Sequence, residues 1–236
     1  MDKLSDLLAQ PTASRPLLGM TVLAVEDSRY TCETLRLMCL RSGARIRRAD
    51  CLASARRHLK VYRPSAVIVD MGLPDGSGLD LIAELVAASP RVGVILGLSG
   101  DDGAEARALS AGADGFLGKP LASLAQFQET ILSLLPPEQK PAGPRGVPQE
   151  RIDPDRSAFL DDISHVAELL EDRQDGPTLD YVAQFLGGVA RSAKDGPLER
   201  AVSELARCRP GGGRRREKVA RLMQVVRARI ESRAAI

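Results

Sequence analysis

The sequence predicts an α/β fold for the first half of the chain, a doubly wound five-stranded parallel sheet, followed by a small all-α helical bundle. Between Thr21 and Leu135, short apolar runs alternate regularly with amphipathic segments. The apolar runs are continuous, which is typical of strands buried on both faces of a parallel sheet. After Asp153, only segments with helical spacing remain.

Each predicted strand is a short apolar run bounded by turn-forming or capping residues. The five strands cover residues 21–25, 44–49, 66–70, 92–98 and 116–117. Helices between them are marked by apolar spacing and by end signals such as Ser28, Gly43 and Pro90. The predicted helices run from Ser28 to Gly43, over 51–62, from Leu79 to Pro90, over 102–112 and over 121–135. This alternation predicts parallel strands joined by right-handed crossovers.

The chain is predicted to contain four segments. An N-terminal leader, residues 1–20, precedes a domain at 21–135, and a Pro-rich linker at 136–152, interpreted as mobile, leads to an all-helical output or interaction domain at 153–236. In this last segment, Gly-Pro pairs and a Pro-Gly-Gly-Gly loop separate four amphipathic stretches. Short loops between amphipathic helices favour an antiparallel bundle.

Charge is unevenly distributed along the chain. The net charge is only +2, but residues 196–236 contain eleven Lys or Arg against four Asp or Glu. No apolar run approaches the length of a membrane span, and the N-terminus lacks the pattern of a signal peptide. We therefore expect a cytoplasmic location and no membrane partner.

Polar residues follow the predicted strands where each strand ends. Glu26 and Asp27 follow the first strand, Asp70 ends the third, Ser99 ends the fourth and Lys119 follows the fifth. Because the carboxyl ends of parallel strands share one edge of the sheet, these side chains should converge in one cleft. Three carboxylates favour Mg²⁺, and a lysine and a serine can bind an anion. Phosphoryl transfer onto an aspartate needs all of these groups.

With these motifs, residues 20–135 resemble the CheY-like receiver domain of a two-component response regulator. The matching motifs are Val25-Glu26-Asp27-Ser28, the loop Asp70-Met71-Gly72-Leu73-Pro74-Asp75-Gly76, Leu98-Ser99-Gly100, and Lys119-Pro120 with Phe116 three residues earlier. The acidic pair is Glu-Asp where the family more often has Asp-Asp, a common variant. No catalytic position of the family is missing.

The resemblance implies a role for each site residue. Asp70 would accept the phosphoryl group from a histidine kinase or histidine phosphotransferase, and the domain would catalyse only its own phosphorylation and dephosphorylation. Glu26, Asp27, Asp70 and the carbonyl of Gly72 would bind Mg²⁺. Lys119 and Ser99 would hold the phosphoryl oxygens, and Ser99 and Phe116 would form the conformational switch.

The output of the helical half is left open by the sequence. It contains no Walker A motif, no nucleotide-cyclase signature and no cluster of metal ligands. Three alternatives remain: binding of a downstream signalling protein, which we favour; phosphorylation-controlled DNA binding by a transcription regulator; and homodimerisation in a phosphate sink. The basic residues that would contact an anion or a nucleic acid are Arg214, Arg215, Arg216, Lys218 and Arg221.

Overall fold

A computed structural model describes residues 10–121, 123–143, 146, 148–208 and 213–232, apart from the side chains of residues 213 and 214. The chain divides into two compact units. Unit 1 contains Met1–Asp27 and Cys32–Asp153, and unit 2 contains Ser28–Thr31 and Pro154–Ile236.

Unit 1 is built on a five-stranded parallel sheet. Its strands are β1 (Thr21–Val25), β2 (Arg45–Ala49), β3 (Ala66–Asp70), β6 (Val94–Ser99) and β7 (Gly115–Gly118). Their spatial order is β2-β1-β3-β6-β7, and every neighbouring pair is parallel. Two short strands outside this sheet, β4 (Gly72–Leu73) and β5 (Gly76–Ser77), form an antiparallel hairpin that the sequence analysis did not predict.

Five helices connect the strands: α1 (Arg29–Ser42), α2 (Leu52–Val61), α3 (Gly78–Ala87), α4 (Ala104–Ser110) and α5 (Leu124–Leu134). Leu35 of α1 and Phe127 of α5 belong to one buried cluster with Ile68 of β3. Leu52 of α2 and Leu81 of α3 belong to a second cluster, which contains Val67 of the same strand. Successive side chains of a strand point to opposite faces, so both faces of the sheet are covered and the predicted doubly wound fold is confirmed.

Both ends of unit 1 continue beyond the predicted domain limits. Leu17 and Met20 are buried in the first cluster, so the second half of the predicted leader is part of the core, while residues 1–9 lie outside the described part. Pro137–Gln139 form a 3-10 helix, and Ile152 is buried in that same cluster. The amide of Leu124 donates to the carbonyl of Glu150. The end of the segment interpreted as a mobile linker is therefore held against unit 1.

Unit 2 is helical, as predicted. Its helices are α6 (Arg156–Asp172), α7 (Gly176–Ser192), α8 (Gly196–Ala206) and α9 (Gly213–Glu231). Aspartates accept hydrogen bonds from the first turns of three of them, at Asp155, Asp175 and Asp195. Helix α6 packs against α7 and α9, and α8 packs against α7 and α9, so each helix contacts two others around one apolar core.

Asp162 is a buried acid in the core of unit 2. Its carboxylate accepts hydrogen bonds from the hydroxyl of Ser28 (2.7 Å), the amide of Arg29 (2.7 Å) and the amide of Tyr30 (3.1 Å). The ring of Tyr30 meets Phe159 edge to face with centroids 6.2 Å apart. The predicted capping role of Ser28 is also present, since the amide of Thr31 donates to its hydroxyl. One carboxylate therefore satisfies three donors at the start of a helix.

Replacing Asp162 with alanine should destabilise unit 2, because buried donors would lose their acceptor. We expect the free energy of unfolding to fall by about 2–4 kcal/mol, measured by urea denaturation followed by circular dichroism. Asp161→Ala is the matched control: Asp161 pairs with the exposed Arg29 guanidinium at 3.1 Å, and its loss should cost less than about 0.5 kcal/mol. Equal losses in both variants would contradict this role for Asp162.

Candidate functional site

The candidate site lies where the strand order of the sheet reverses. From β1 the chain crosses to β2 on one side, whereas from β3 it crosses to β6 on the other. The ends of adjacent strands diverge at such a point and leave a crevice. Val25 is paired with Val69, so the acidic residue after β1, Glu26, is level with Asp70 at the end of β3.

Strand register also brings the remaining site residues together. Asp70 pairs with Leu98, one residue before Ser99, and Ser99 pairs with Gly118, one residue before Lys119. The amide of Lys119 donates to the carbonyl of Ser99 at 2.8 Å, which extends the ladder beyond β7. The sheet itself therefore determines which side chains converge.

Three carboxylates form a compact cluster. Glu26, Asp27 and Asp70 each offer an oxygen, and these oxygens all lie within 4.8 Å of one another. Glu26 is only 2% exposed and Asp70 7%. Like charges this close and this well buried repel one another unless a cation is bound between them. The cluster therefore suits a hard divalent cation that prefers oxygen ligands.

Lys119 supplies the positive charge of the site. Its ammonium nitrogen lies 2.7 Å from Oε2 of Glu26 and 3.1 Å from Oδ1 of Asp70. Burial lowers the pKa of Lys119, but the carboxylates of Asp70 and Glu26 more than offset this and raise the pKa above its ordinary value. The lysine therefore stays charged and is fixed beside Asp70.

The pKa of Asp70 is raised from 3.8 to about 7. Burial is the main cause, and the neighbouring charge of Glu26 adds to it, whereas Lys119 lowers the pKa. A cation bound to the cluster would favour the carboxylate form.

Two further predicted residues lie on β6 and β7, which end at the same edge of the sheet as the cluster. Ser99 is buried at the end of β6, and its hydroxyl accepts a hydrogen bond from the amide of Asp101 at 3.2 Å. Phe116 is half-buried on β7 beside Gly97. A Cβ on Gly97 would lie 2.6 Å from the Cβ of Ala108 and 3.1 Å from Cδ2 of Phe116. Gly97 therefore leaves the space in which the Phe116 ring and α4 lie.

The loop after Asp70 depends on residues whose structural roles the sequence analysis missed. A Cβ on Gly78 would overlap the carbonyl oxygen of Asp70, so the start of α3 can approach β3 only through a glycine. The carboxylate of Asp75 accepts hydrogen bonds from the amides of Leu52 (2.8 Å) and Ala53 (2.9 Å) and thereby caps α2. Gly72 starts β4, and its role as a carbonyl ligand stays a prediction.

The basic residues predicted as anion contacts are mostly paired with acids of unit 2. Arg215 lies 2.6 Å from Asp180, Lys218 lies 2.9 Å from Glu204, and Arg221 lies 3.0 Å from the same glutamate. Arg216 is exposed, and the side chain of Arg214 lies outside the described part. Three of the five predicted contact residues therefore already have a carboxylate partner in unit 2.

Comparison with known proteins finds one family over the first half of the chain. Residues 22–131 match the model of the response regulator receiver domain. The chain is 33% identical over 99 residues to the KDP operon transcriptional regulatory protein KdpE of Escherichia coli, which covers 42% of this chain and 44% of KdpE. It is 33% identical over 103 residues to the virulence transcriptional regulatory protein PhoP of Salmonella typhimurium, covering 43% of this chain and 46% of PhoP.

The match therefore spans less than half the length of these relatives. Among solved structures, a putative response regulator from Chloroflexus aurantiacus is 27% identical with a TM-score of 0.46, covering 49% of this chain and 96% of that one. Within the described residues, none of the helices combines the length and apolar character needed to cross a membrane.

The raised pKa of Asp70 predicts a pH-dependent stability in metal-free buffer. Between its ordinary pKa of 3.8 and its folded pKa of about 7, the folded state keeps a proton that the unfolded state releases. Stability of the wild type relative to Asp70→Asn should therefore fall as pH rises through this window and level off above about pH 7. Urea denaturation across the pH range, with a chelator present, measures the difference.

Asp75→Asn is the control for this titration. Burial raises the pKa of Asp75, but the amides of Ala53 and Leu52 outweigh it and lower the pKa below 3.8. The wild type should therefore be more stable than Asp75→Asn at pH values above the ordinary pKa of 3.8. This advantage should be lost as the pH falls through the folded pKa of Asp75. If both variants showed the same sign of pH dependence, the assigned cause of the Asp70 shift would be wrong.

Proposed function

We propose, from the premise that residues 22–131 are a response regulator receiver domain, that the chain is a response regulator of a phosphorelay. Asp70 accepts the phosphoryl group from the phosphohistidine of a histidine kinase or histidine phosphotransferase. The observation that carries the proposal is the convergence of three carboxylates and one buried lysine at the carboxyl edge of the sheet. The receiver then performs no chemistry beyond its own phosphorylation and dephosphorylation.

The donor set fits Mg²⁺. Glu26, Asp27 and Asp70 would hold the ion, together with the carbonyl of Gly72, and the bound ion would neutralise charge on the transferred phosphoryl group. A carboxylate oxygen of Asp70 forms the new bond to phosphorus while the P–N bond of the phosphohistidine breaks, and the leaving imidazole takes up the proton that restores its neutral form. Lys119 faces the oxygens of the incoming group and balances their charge.

The switch is proposed to use Ser99 and Phe116. A phosphoryl group on Asp70 offers oxygen acceptors next to the end of β6, which favours an inward position of the Ser99 hydroxyl. The ring of Phe116, on β7, lies beside Gly97 of β6 and can move into the space that the Ser99 side chain leaves. Such a movement would change the surface formed by α4, β7 and α5, which we propose as the face read by partners.

For the output we favour binding of a downstream signalling protein over DNA binding by α9. KdpE and PhoP are transcriptional regulatory proteins by name, and this supports the DNA-binding alternative. Against it, Arg215, Lys218 and Arg221 are paired with carboxylates and would have to give up these partners to contact phosphates. We further propose a cytoplasmic location, in keeping with a kinase or phosphotransferase partner; homodimerisation remains a third alternative.

Phosphorylation by a small phosphoramidate donor tests the proposed site. With Mg²⁺ present, the wild type should gain one phosphoryl group in intact-mass measurements, and a chelator should prevent the gain. Asp70→Asn should remove it because the nucleophile is lost. The matched control is Asp75→Asn, five residues further on in a helix-capping position, which should still be labelled. Labelling that survives in Asp70→Asn, or is lost in Asp75→Asn alone, would rule out Asp70 as the acceptor.

A further inference from the structure

A second basic segment of the sequence lies in unit 1, long before the basic residues 196–236, here named the tail. Residues 41–63 contain eight Lys or Arg and one Asp or Glu, although the whole chain has a net charge of only +2. Two of these cations have acidic partners: Arg41 lies 2.8 Å from Glu150 and Arg56 lies 2.6 Å from Glu84. The other six are exposed and form no ion pair with a carboxylate of the described residues: Arg45, Arg47, Arg48, Arg57, Lys60 and Arg63.

These six cations, here named the β2–α2 ridge, lie on two elements that pack against each other. Arg45 and Arg47 lie on the side of the edge strand β2 that faces α2, and Arg48 lies on its opposite side. Arg57 and Lys60 lie on α2, with Arg63 just after it. Helix α2 packs on β2. Burial raises the pKa of Tyr62 above its ordinary value and the positive charge of Arg47 opposes this rise, so the strand cation lies near the end of the helix.

Protection of an exposed edge accounts for only part of the ridge. Charged residues on edge strands prevent unwanted strand pairing, and this would explain Arg45, Arg47 and Arg48. Arg57, Lys60 and Arg63 lie outside β2 and protect no edge. Six exposed like charges also repel one another, so their common location has a cost that a bound anion would offset.

The composition of the ridge favours a phosphate polymer over an acidic protein. Five of its six cations are arginines, whose planar guanidinium matches the geometry of a phosphate. Protein interfaces need an apolar centre, and the one large exposed hydrophobic residue in this region of the described chain is Val61, 84% exposed. Arg45 and Arg47, on one side of the strand, are about 7 Å apart along it, which corresponds to about two base steps of a duplex.

We propose that the β2–α2 ridge binds the sugar-phosphate backbone of duplex DNA, without base readout. The contact uses neither the acidic cluster nor the basic tail, and does not depend on a phosphoryl group at Asp70. It would bring the receiver itself onto the nucleic acid, whatever partner the helical half binds. Because it rests on charge, its affinity should fall steeply with added salt.

Fluorescence anisotropy with a mixed-sequence DNA duplex and the full-length protein tests the proposal. The ridge variant combines Arg45→Gln, Arg47→Gln and Arg57→Gln, and the matched control removes three exposed charges of the tail by Arg216→Gln, Arg221→Gln and Arg227→Gln. At about 50 mM salt, the ridge variant should bind about tenfold or more weakly than the wild type, with a salt slope reduced by about 2–3. The control should change affinity less than about twofold.

Several outcomes would overturn the proposal. If the tail variant weakened binding as much as the ridge variant does, the contact would not lie on the ridge. If the wild type did not bind the duplex at low salt, the ridge would not be a DNA-binding surface. If polyglutamate of matched charge displaced the duplex equally well, the ridge would be a site for acidic proteins instead. A circular dichroism spectrum equal to that of the wild type shows that the ridge variant is folded. Should it not fold, Arg47→Gln and Arg57→Gln tested singly should each reduce the salt slope by about one.

Discussion

The candidate site depends on one buried ammonium group held between two carboxylates. Lys119 lies within 3.1 Å of both Glu26 and Asp70, and all three side chains are almost completely enclosed. Removing the lysine would leave two like charges in a region from which water is largely excluded, at a cost of several kcal/mol. The lysine can reach both acids only because β1 and β3 are neighbours and β7 ends at the same edge. The ion cluster can therefore form only with this order of strands, and any change of strand order would break it.

That constraint explains why the position of the site could be predicted from the sequence. Alternation of apolar runs with amphipathic segments indicates a parallel sheet, and parallel strands end at one edge. The residues after these runs can then be grouped without knowing any long-range contact. The structure brings Glu26, Asp27, Asp70 and Lys119 together with Ser99 as this grouping requires. Element boundaries in the predicted sheet and helices differ from the observed ones by at most three residues.

Long-range polar contacts were not predictable in the same way. Asp75 appears in the sequence as a turn residue, but its carboxylate caps α2, more than twenty residues earlier. Asp162 reads as an ordinary polar position on an amphipathic helix, yet it is buried and accepts three hydrogen bonds. Neither contact produces a periodic pattern. The same holds for Gly78, whose missing side chain matters only because the carbonyl of Asp70 lies against it.

Charge counted along a sequence also differs from charge available on a surface. The tail has the conspicuous excess of cations, but Arg229 is bound to Asp195 by two hydrogen bonds, Arg227 lies 3.0 Å from Glu171, and Lys218 and Arg221 share Glu204. Asp195 and Glu171 precede residue 196, and Glu204 lies before α9. A charge count over the last helix alone therefore misses all three acids. Residues 41–63 have few acids within reach, and most of their cations stay exposed. Electrostatic partners of this chain are therefore to be sought where cations lack local acids, not where arginines are most closely spaced in the sequence.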